Sequence, residues 1–189
     1  MNGSIIANRS SKDRLKTELY STPDNVTRAL LNFLDIDKSK TIWECACGDG
    51  SMSKTMSDMG YDVISSELND YGYGLTEVDF FEADIESDWI ITNPPFSGAA
   101  KFIERCIELN KPFALLFKSQ FWHARNRFKL FDNFKPRYVL PLTFRPKFLF
   151  EGKLERLKNE NKRDTPTMEC LWTVWDKDPS ITEYILLKK

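Results

Sequence analysis

Thr41-Ile42-Trp43-Glu44-Cys45-Ala46-Cys47-Gly48-Asp49-Gly50 runs as a short apolar strand into a Gly-x-Gly break. Residues 51–59 then read as a helix, with Gly60 as its stop signal. Strand, glycine turn and helix in that order begin a βαβ unit. The glycines permit backbone torsions closed to other residues and let a ligand approach the main chain. The pattern continues outward in both directions. Upstream, Thr22-Pro23-Asp24 opens a helix with a hydroxyl cap, a proline where no N–H is needed and an early acid; Val26, Leu30, Leu31 and Leu34 follow at helical spacing. Downstream, strands are expected over 61–65, 88–92, 113–117, 137–144 and 170–175, with 181–187 as a further candidate. Residues 101–109 form a helix with Phe102, Ile103, Cys106 and Ile107 on one face, and residues 122–131 are basic and helix-like. Strands alternating with helices predict an α/β, doubly wound, mainly parallel sheet covered on both faces, whose ligands sit at the carboxyl ends of strands.

The 189 residues are 41% hydrophobic and 29% charged, which fits one packed domain and excludes a disordered polyampholyte. No run approaches 18 apolar residues, so no membrane partner is expected. Residues 1–14 read as a flexible polar arm without the apolar block of a leader, and 15–189 as a single domain, with a cytoplasmic location expected. Four scattered cysteines and one histidine make neither a disulfide framework nor a metal site. The net charge of −1 conceals a polarity: residues 1–110 hold 10 Lys and Arg against 19 Asp and Glu, whereas residues 111–163 hold 14 against 4. Such a separation either creates a face for a polyanion or is balanced locally in space.

A nucleoside site is legible along the strand ends. Glu44, Cys45, Ala46, Gly48 and Gly50 form the first turn, although the third glycine of the dinucleotide fingerprint is missing, and a turn of no functional consequence looks similar. Glu67 follows the second strand, where a carboxylate accepts both ribose hydroxyls, with Leu68 beside it. Asp79-Phe80 follows the next apolar stretch, as an acid for an adenine amino group and a ring for its face, or as a loop acid and a core residue. Their order favours an adenosine-type cofactor.

Asn93-Pro94-Pro95-Phe96, directly after a buried strand, is the most specific feature. The prolines lack N–H donors and hold their carbonyls in fixed directions. An aromatic amine is a poor nucleophile because its lone pair is delocalised. The Asn93 side-chain oxygen and the Pro94 carbonyl can accept its two N–H groups and aim the lone pair at an electrophile, so positioning and electrostatics carry the rate. Phe96 offers a stacking face to the base, worth about 1–3 kcal/mol.

With these motifs the chain resembles the amino-group (N6-adenine) DNA methyltransferases in the gamma-type motif order. Tyr20-x-Thr22-Pro23 is similar to the segment that holds the methionine carboxylate in that family, which makes Tyr20, Thr22 and Pro23 candidates. The 67–80 stretch and Arg145-Pro146-Lys147-Phe148 look like short phage-borne members. The resemblance covers residues 18–176 and implies a Rossmann-like class I methyltransferase sheet of seven strands, in the order 3-2-1-4-5-7-6 with the last strand antiparallel. It implies S-adenosyl-L-methionine as cofactor, with Asn93 also near it, DNA as the partner (RNA possible), and a prokaryotic or phage-infected cell. Cys47 replaces the bulky residue usual in the first motif, which should loosen packing there. No separate target-recognition domain fits, so sequence choice falls to loops, a homodimer or a specificity subunit. The basic insertion at 145–163, with Arg145, Lys147, Lys153, Arg156, Lys158, Lys162 and Arg163, is the expected phosphate surface. The aromatic residues of 121–134 are assigned mainly to the core. An RNA base, a protein glutamine amide and a non-catalytic nucleic-acid-binding module stay open as alternatives.

Overall fold

The computed structural model describes residues 19–150, 168–176 and 180–189. Seven strands form the main sheet: β2 (Thr41–Glu44), β3 (Asp62–Ser65), β4 (Trp89–Thr92), β5 (Phe113–Lys118), β6 (Tyr138–Pro141), β8 (Cys170–Trp175) and β9 (Glu183–Tyr184). Their spatial order is β3-β2-β4-β5-β8-β6-β9. All neighbours pair in parallel except β8, which runs antiparallel to both β5 and β6. Two further strands, β1 (Tyr20–Ser21) and β7 (Leu149–Phe150), form a separate antiparallel ribbon.

Period-2 alternation decides the layering. Ile42, Ile91, Ala114, Leu116, Trp172 and Val174 face one core, closed by Val26, Leu30 and Leu31 of helix α1 (Asp24–Leu34) and by Met52 and Met56 of α2 (Ser51–Asp58). Trp43, Ile90, Phe113, Leu115 and Phe117 face the other, closed by Phe102, Ile103 and Cys106 of α3 (Ala99–Glu108). Ile90 and Ile91 are adjacent, fully buried and on opposite faces; truncating either to alanine should cost about 2–5 kcal/mol. Trp172 is also fully buried, and its indole N–H donates to the Val26 carbonyl at 3.1 Å, tying the antiparallel strand to α1.

Several expectations are revised. The edge strand implied between β3 and β4 does not form. Only an isolated bridge joins Ser66 to Leu75, because Glu77 adopts φ +61° and the chain turns at Asp79. The seventh strand is instead β9, outside β6. Helix α1 begins at Asp24 with Pro23, not Thr22, at the N-cap position, so no side-chain oxygen caps it, and the Thr22 hydroxyl accepts from Asn93 instead. The basic stretch 122–131 is no single helix: Ala124 is extended (φ −94°, ψ 120°) and separates 3₁₀ turns at Ser119–His123 and Arg125–Arg127 from α4 (Phe128–Asn133). Residues 1–14, together with Lys153, Arg156, Lys158, Lys162 and Arg163 of the basic insertion, lie outside the described residues. Among those described, no helix is long and apolar enough to cross a membrane.

Candidate active site

The carboxyl ends of β2 and β4 open onto one cavity, since parallel neighbours release their loops on the same edge. It is lined by Tyr20, Thr22, Glu44, Ala46, Gly48, Glu67 and the whole run from Asn93 to Phe96, so ten of the anticipated residues meet there. Ser21, Cys47, Asp49, Asn69 and Tyr71 join them.

Asn93 is the best-defined group. Its amide nitrogen donates to the Thr22 hydroxyl at 3.0 Å, which fixes which way the amide points. Its Oδ1 is buried and has no hydrogen-bond partner among the described residues. A buried acceptor left open costs about 1–3 kcal/mol, so its persistence calls for a donor from a ligand. Phe96 lies beside it, its ring centroid 5.4 Å from that of Tyr20, with the Lys118 ammonium 3.9 Å from the Phe96 centroid. Pairing of β1 with β7 also brings Phe148 edge-on to Tyr20, at 6.3 Å.

Among the described residues, three acids line the cavity and no Lys, Arg or His does. Glu67 accepts from the Gly48 amide at 3.0 Å through Oε2 and from the Asn69 amide at 3.2 Å through Oε1; each oxygen keeps a lone pair for another donor. Glu44 is buried at the end of β2 and accepts from the Ser53 hydroxyl. Burial pushes its carboxyl up to about 8, and the charges of Asp49 and Glu67 act in the same direction. Asp49 accepts from Ser21 at 2.5 Å and from the Ser51 hydroxyl at 2.6 Å. Burial raises its carboxyl, and the hydrogen bonds from Ser21 and Ser51 more than offset this, leaving it below the ordinary range.

Gly48 sits at φ +53°, and a Cβ there would lie 2.4 Å from Leu19 Cδ1. Cys47 does not leave a gap. It is 5% exposed, the Tyr73 carbonyl lies 3.7 Å from its sulfur, and Gly74 (φ +71°) is so close that a Cβ there would meet the sulfur at 3.1 Å. The glycine-rich loop 71–74 therefore packs directly on Cys47, and the loose packing expected there is not present.

The other candidates fall outside the cavity lining. Pro23 caps α1, Cys45 is buried in the second core, and Gly50 packs under the Tyr73 ring. Leu68 is 57% exposed. Asp79 accepts from the Phe81 amide at 2.9 Å, and Phe80 is buried and stacked on Phe102 at 4.8 Å, the core role left open for it above. Arg145 is exposed and paired with Glu169 at 2.8 Å, and Lys147 is exposed. Sequence reasoning missed Ser21 and Asp49 as lining residues, and it placed Lys118 in the basic block without its position over the Phe96 ring. Asp49 stands between two glycines already singled out, and Lys118 ends the strand that a doubly wound sheet puts next to β4.

Comparison with known proteins bears on the fold. No family model and no curated protein matches the chain. Among solved structures it is similar to a proposed RNA methyltransferase from Pyrococcus horikoshii, with 15% identity, a TM-score of 0.61, and 86% of this chain and 88% of that one covered. It is similar to the methyltransferase subunit of a type I restriction-modification system from Streptococcus thermophilus, with 13% identity and a TM-score of 0.61. That match covers 91% of this chain and spans about half of the subunit, 48%. A dimethyladenosine transferase from Plasmodium falciparum matches with 16% identity, a TM-score of 0.56, and coverage of 85% and 63%. The chain has the Rossmann-like fold of these methyltransferases.

Proposed function

We propose that this chain transfers the methyl group of S-adenosyl-L-methionine to the exocyclic amino nitrogen of adenine in DNA. The observation that carries the reading is Asn93 Oδ1, a buried and unpartnered acceptor oriented by the bond from its own amide nitrogen to Thr22. The residues of the cavity fit the cofactor by charge. Asp49 and Glu67, with no cation in the lining among the described residues, would repel the pyrophosphate of a dinucleotide, and they suit a nucleoside that carries an ammonium and a sulfonium. When bound, S-adenosylmethionine supplies an electrophilic methyl group.

The chain's own residues do the rest. Glu67 keeps lone pairs for the ribose hydroxyls, while Asp49, whose carboxyl stays ionised, attracts the ammonium of the methionine part and Glu44 closes the cavity floor behind it. Gly48 lets the ligand lie close to the main chain. Asn93 Oδ1 and the Pro94 carbonyl accept the two N–H groups of the target amine, which draws its lone pair out of the ring and toward the methyl group. Phe96 stacks on the target base, which must leave the helix to reach this depth. The proton given up by the nitrogen departs once the new C–N bond has formed.

Incubation with methyl-labelled cofactor and, separately, duplex DNA, RNA and denatured protein tests the reading. Label should enter DNA and be recovered, after digestion, as N6-methyladenine. Label found only in RNA or in protein would replace DNA as the substrate, and label in no acceptor would remove the enzymatic reading.

A further inference from the structure

Charge is distributed unevenly around the mouth of the cavity. The cavity lies at the ends of β2 and β4, and in the sheet these strands are flanked by β3 on one side and β5 on the other. The connection leaving β3, residues 66–88, holds eight Asp and Glu and no Lys or Arg. Asp70 and Glu77 are exposed in its first half, which follows Glu67, whereas its second half runs to the amino edge of the sheet, where Asp84 pairs with Lys111 and Asp88 with Lys40. The connection leaving β5 is the opposite, with no acid between Glu108 and Asp132 and with Lys118, Arg125, Arg127 and Lys129 in close succession.

That basic connection is rigidly mounted. Phe121 stacks on Phe117 of β5 at 4.4 Å, and Trp122 stacks on Phe131 at 4.0 Å. Arg127 is used internally: it donates to the Phe121 carbonyl at 2.7 Å and lies 4.0 Å over the Phe121 ring. His123, Arg125 and Lys129 are exposed, and neither Arg125 nor Lys129 forms an ion pair among the described residues. Phe128 stands between cations with 69% of its surface exposed, unusual for a phenylalanine with no role toward a partner. The segment starts at Lys118, whose ammonium already reaches the Phe96 ring of the cavity wall.

We infer that residues 119–129 form the surface that holds the phosphate backbone of duplex DNA, with Arg125 and Lys129 as its principal cations, while the acids that directly follow β3, Glu67 and Asp70, disfavour phosphate on the opposite side. The inference rests on the DNA reading above and moves the main contact away from 145–163, where Arg145 is already neutralised by Glu169. Phosphate contacts release counterions, so each one lost should lower the slope of log affinity against log salt by about 0.9.

The test measures binding of a fluorescent duplex across a salt series. Wild type is compared with the R125A/K129A double variant and the K153A/R156A/K158A triple variant, with calorimetric binding of S-adenosylhomocysteine as a check that each remains folded. The double variant should lose about 1.8 from the slope and keep its nucleoside affinity, and the triple variant should change the slope less. An unaltered slope in the double variant overturns the surface alone and leaves the DNA reading standing. A wild type that binds the nucleoside but no duplex, or only an RNA hairpin, overturns the surface and the DNA reading together.

Discussion

Asn93 is held by one half of its amide and left open by the other, and this division gives a sharp expectation. Asn93→Ala should abolish methyl transfer while cofactor affinity, measured by calorimetry, stays within a few fold, because the lost oxygen addresses the acceptor amine. Wild-type turnover in that variant would dismiss the amine-positioning role. Glu44 gives a second expectation, through pH. Its folded carboxyl titrates at about 8 against an ordinary 4.5, so between these values the folded protein binds a proton that the unfolded chain has released. Stability from this group therefore falls as pH rises from about 4.5 to 8 and then levels off, a total on the order of 5 kcal/mol. Glu44→Gln is neutral throughout, and urea unfolding at pH 5 and pH 8 should show it losing much less stability over that interval than wild type. An identical decline in both proteins would mean that Glu44 is not the titrating group. The Asn-Pro-Pro-Phe run and Glu67 could be found from sequence because their chemistry is local to a strand end. The bond between Ser21 and Asp49 could not, since it joins residues 28 positions apart and depends on how the ribbon folds back.

At the scale of elements, the glycine-rich loop couples the first motif to the second. Gly72 and Gly74 both have left-handed backbones (φ +78° and +71°), yet only Gly74 is crowded: a Cβ there would lie 2.7 Å from the Ser65 carbonyl oxygen, whereas none of its surroundings crowds Gly72. Gly72→Ala should thus cost about 1 kcal/mol, the torsional penalty alone. Gly74→Ala should cost about 1–3 kcal/mol more, because β3 or the Cys47 sulfur must give way. Equal losses in thermal unfolding would show that the loop does not bear on the strand. The central strands were readable from their apolar runs, since burial on both faces demands such runs. The edge of the sheet was not. Short apolar stretches at 75–81 and 181–187 carry similar signals, and torsion at Glu77 and pairing with β6 make one a loop and the other a strand.

Over the whole molecule, a nearly neutral chain becomes a polarised one, with acids gathered after β3 and cations after β5. The block charges foretold the polarity; that Glu67 and Asp70 leave β3 and Lys118 leaves β5, on either side of the two cavity strands, needed the strand order. The β1–β7 ribbon has a different consequence. Two residues at the start of the described chain pair with two residues nearly 130 positions later, and they carry Tyr20 and Ser21 into the cavity wall. Joining such distant points forfeits the entropy of a long closed loop, repaid by a pair of very short strands outside the main sheet. Opening the ribbon exposes little of either core, so it should occur far more often than global unfolding. In hydrogen exchange, the Tyr20 and Ser21 amides should exchange orders of magnitude faster than those of Leu115 and Trp172, and saturating S-adenosylhomocysteine should slow them selectively. The wall of the cavity then behaves as a clasp, drawn shut by what it encloses while the sheet beneath stays folded.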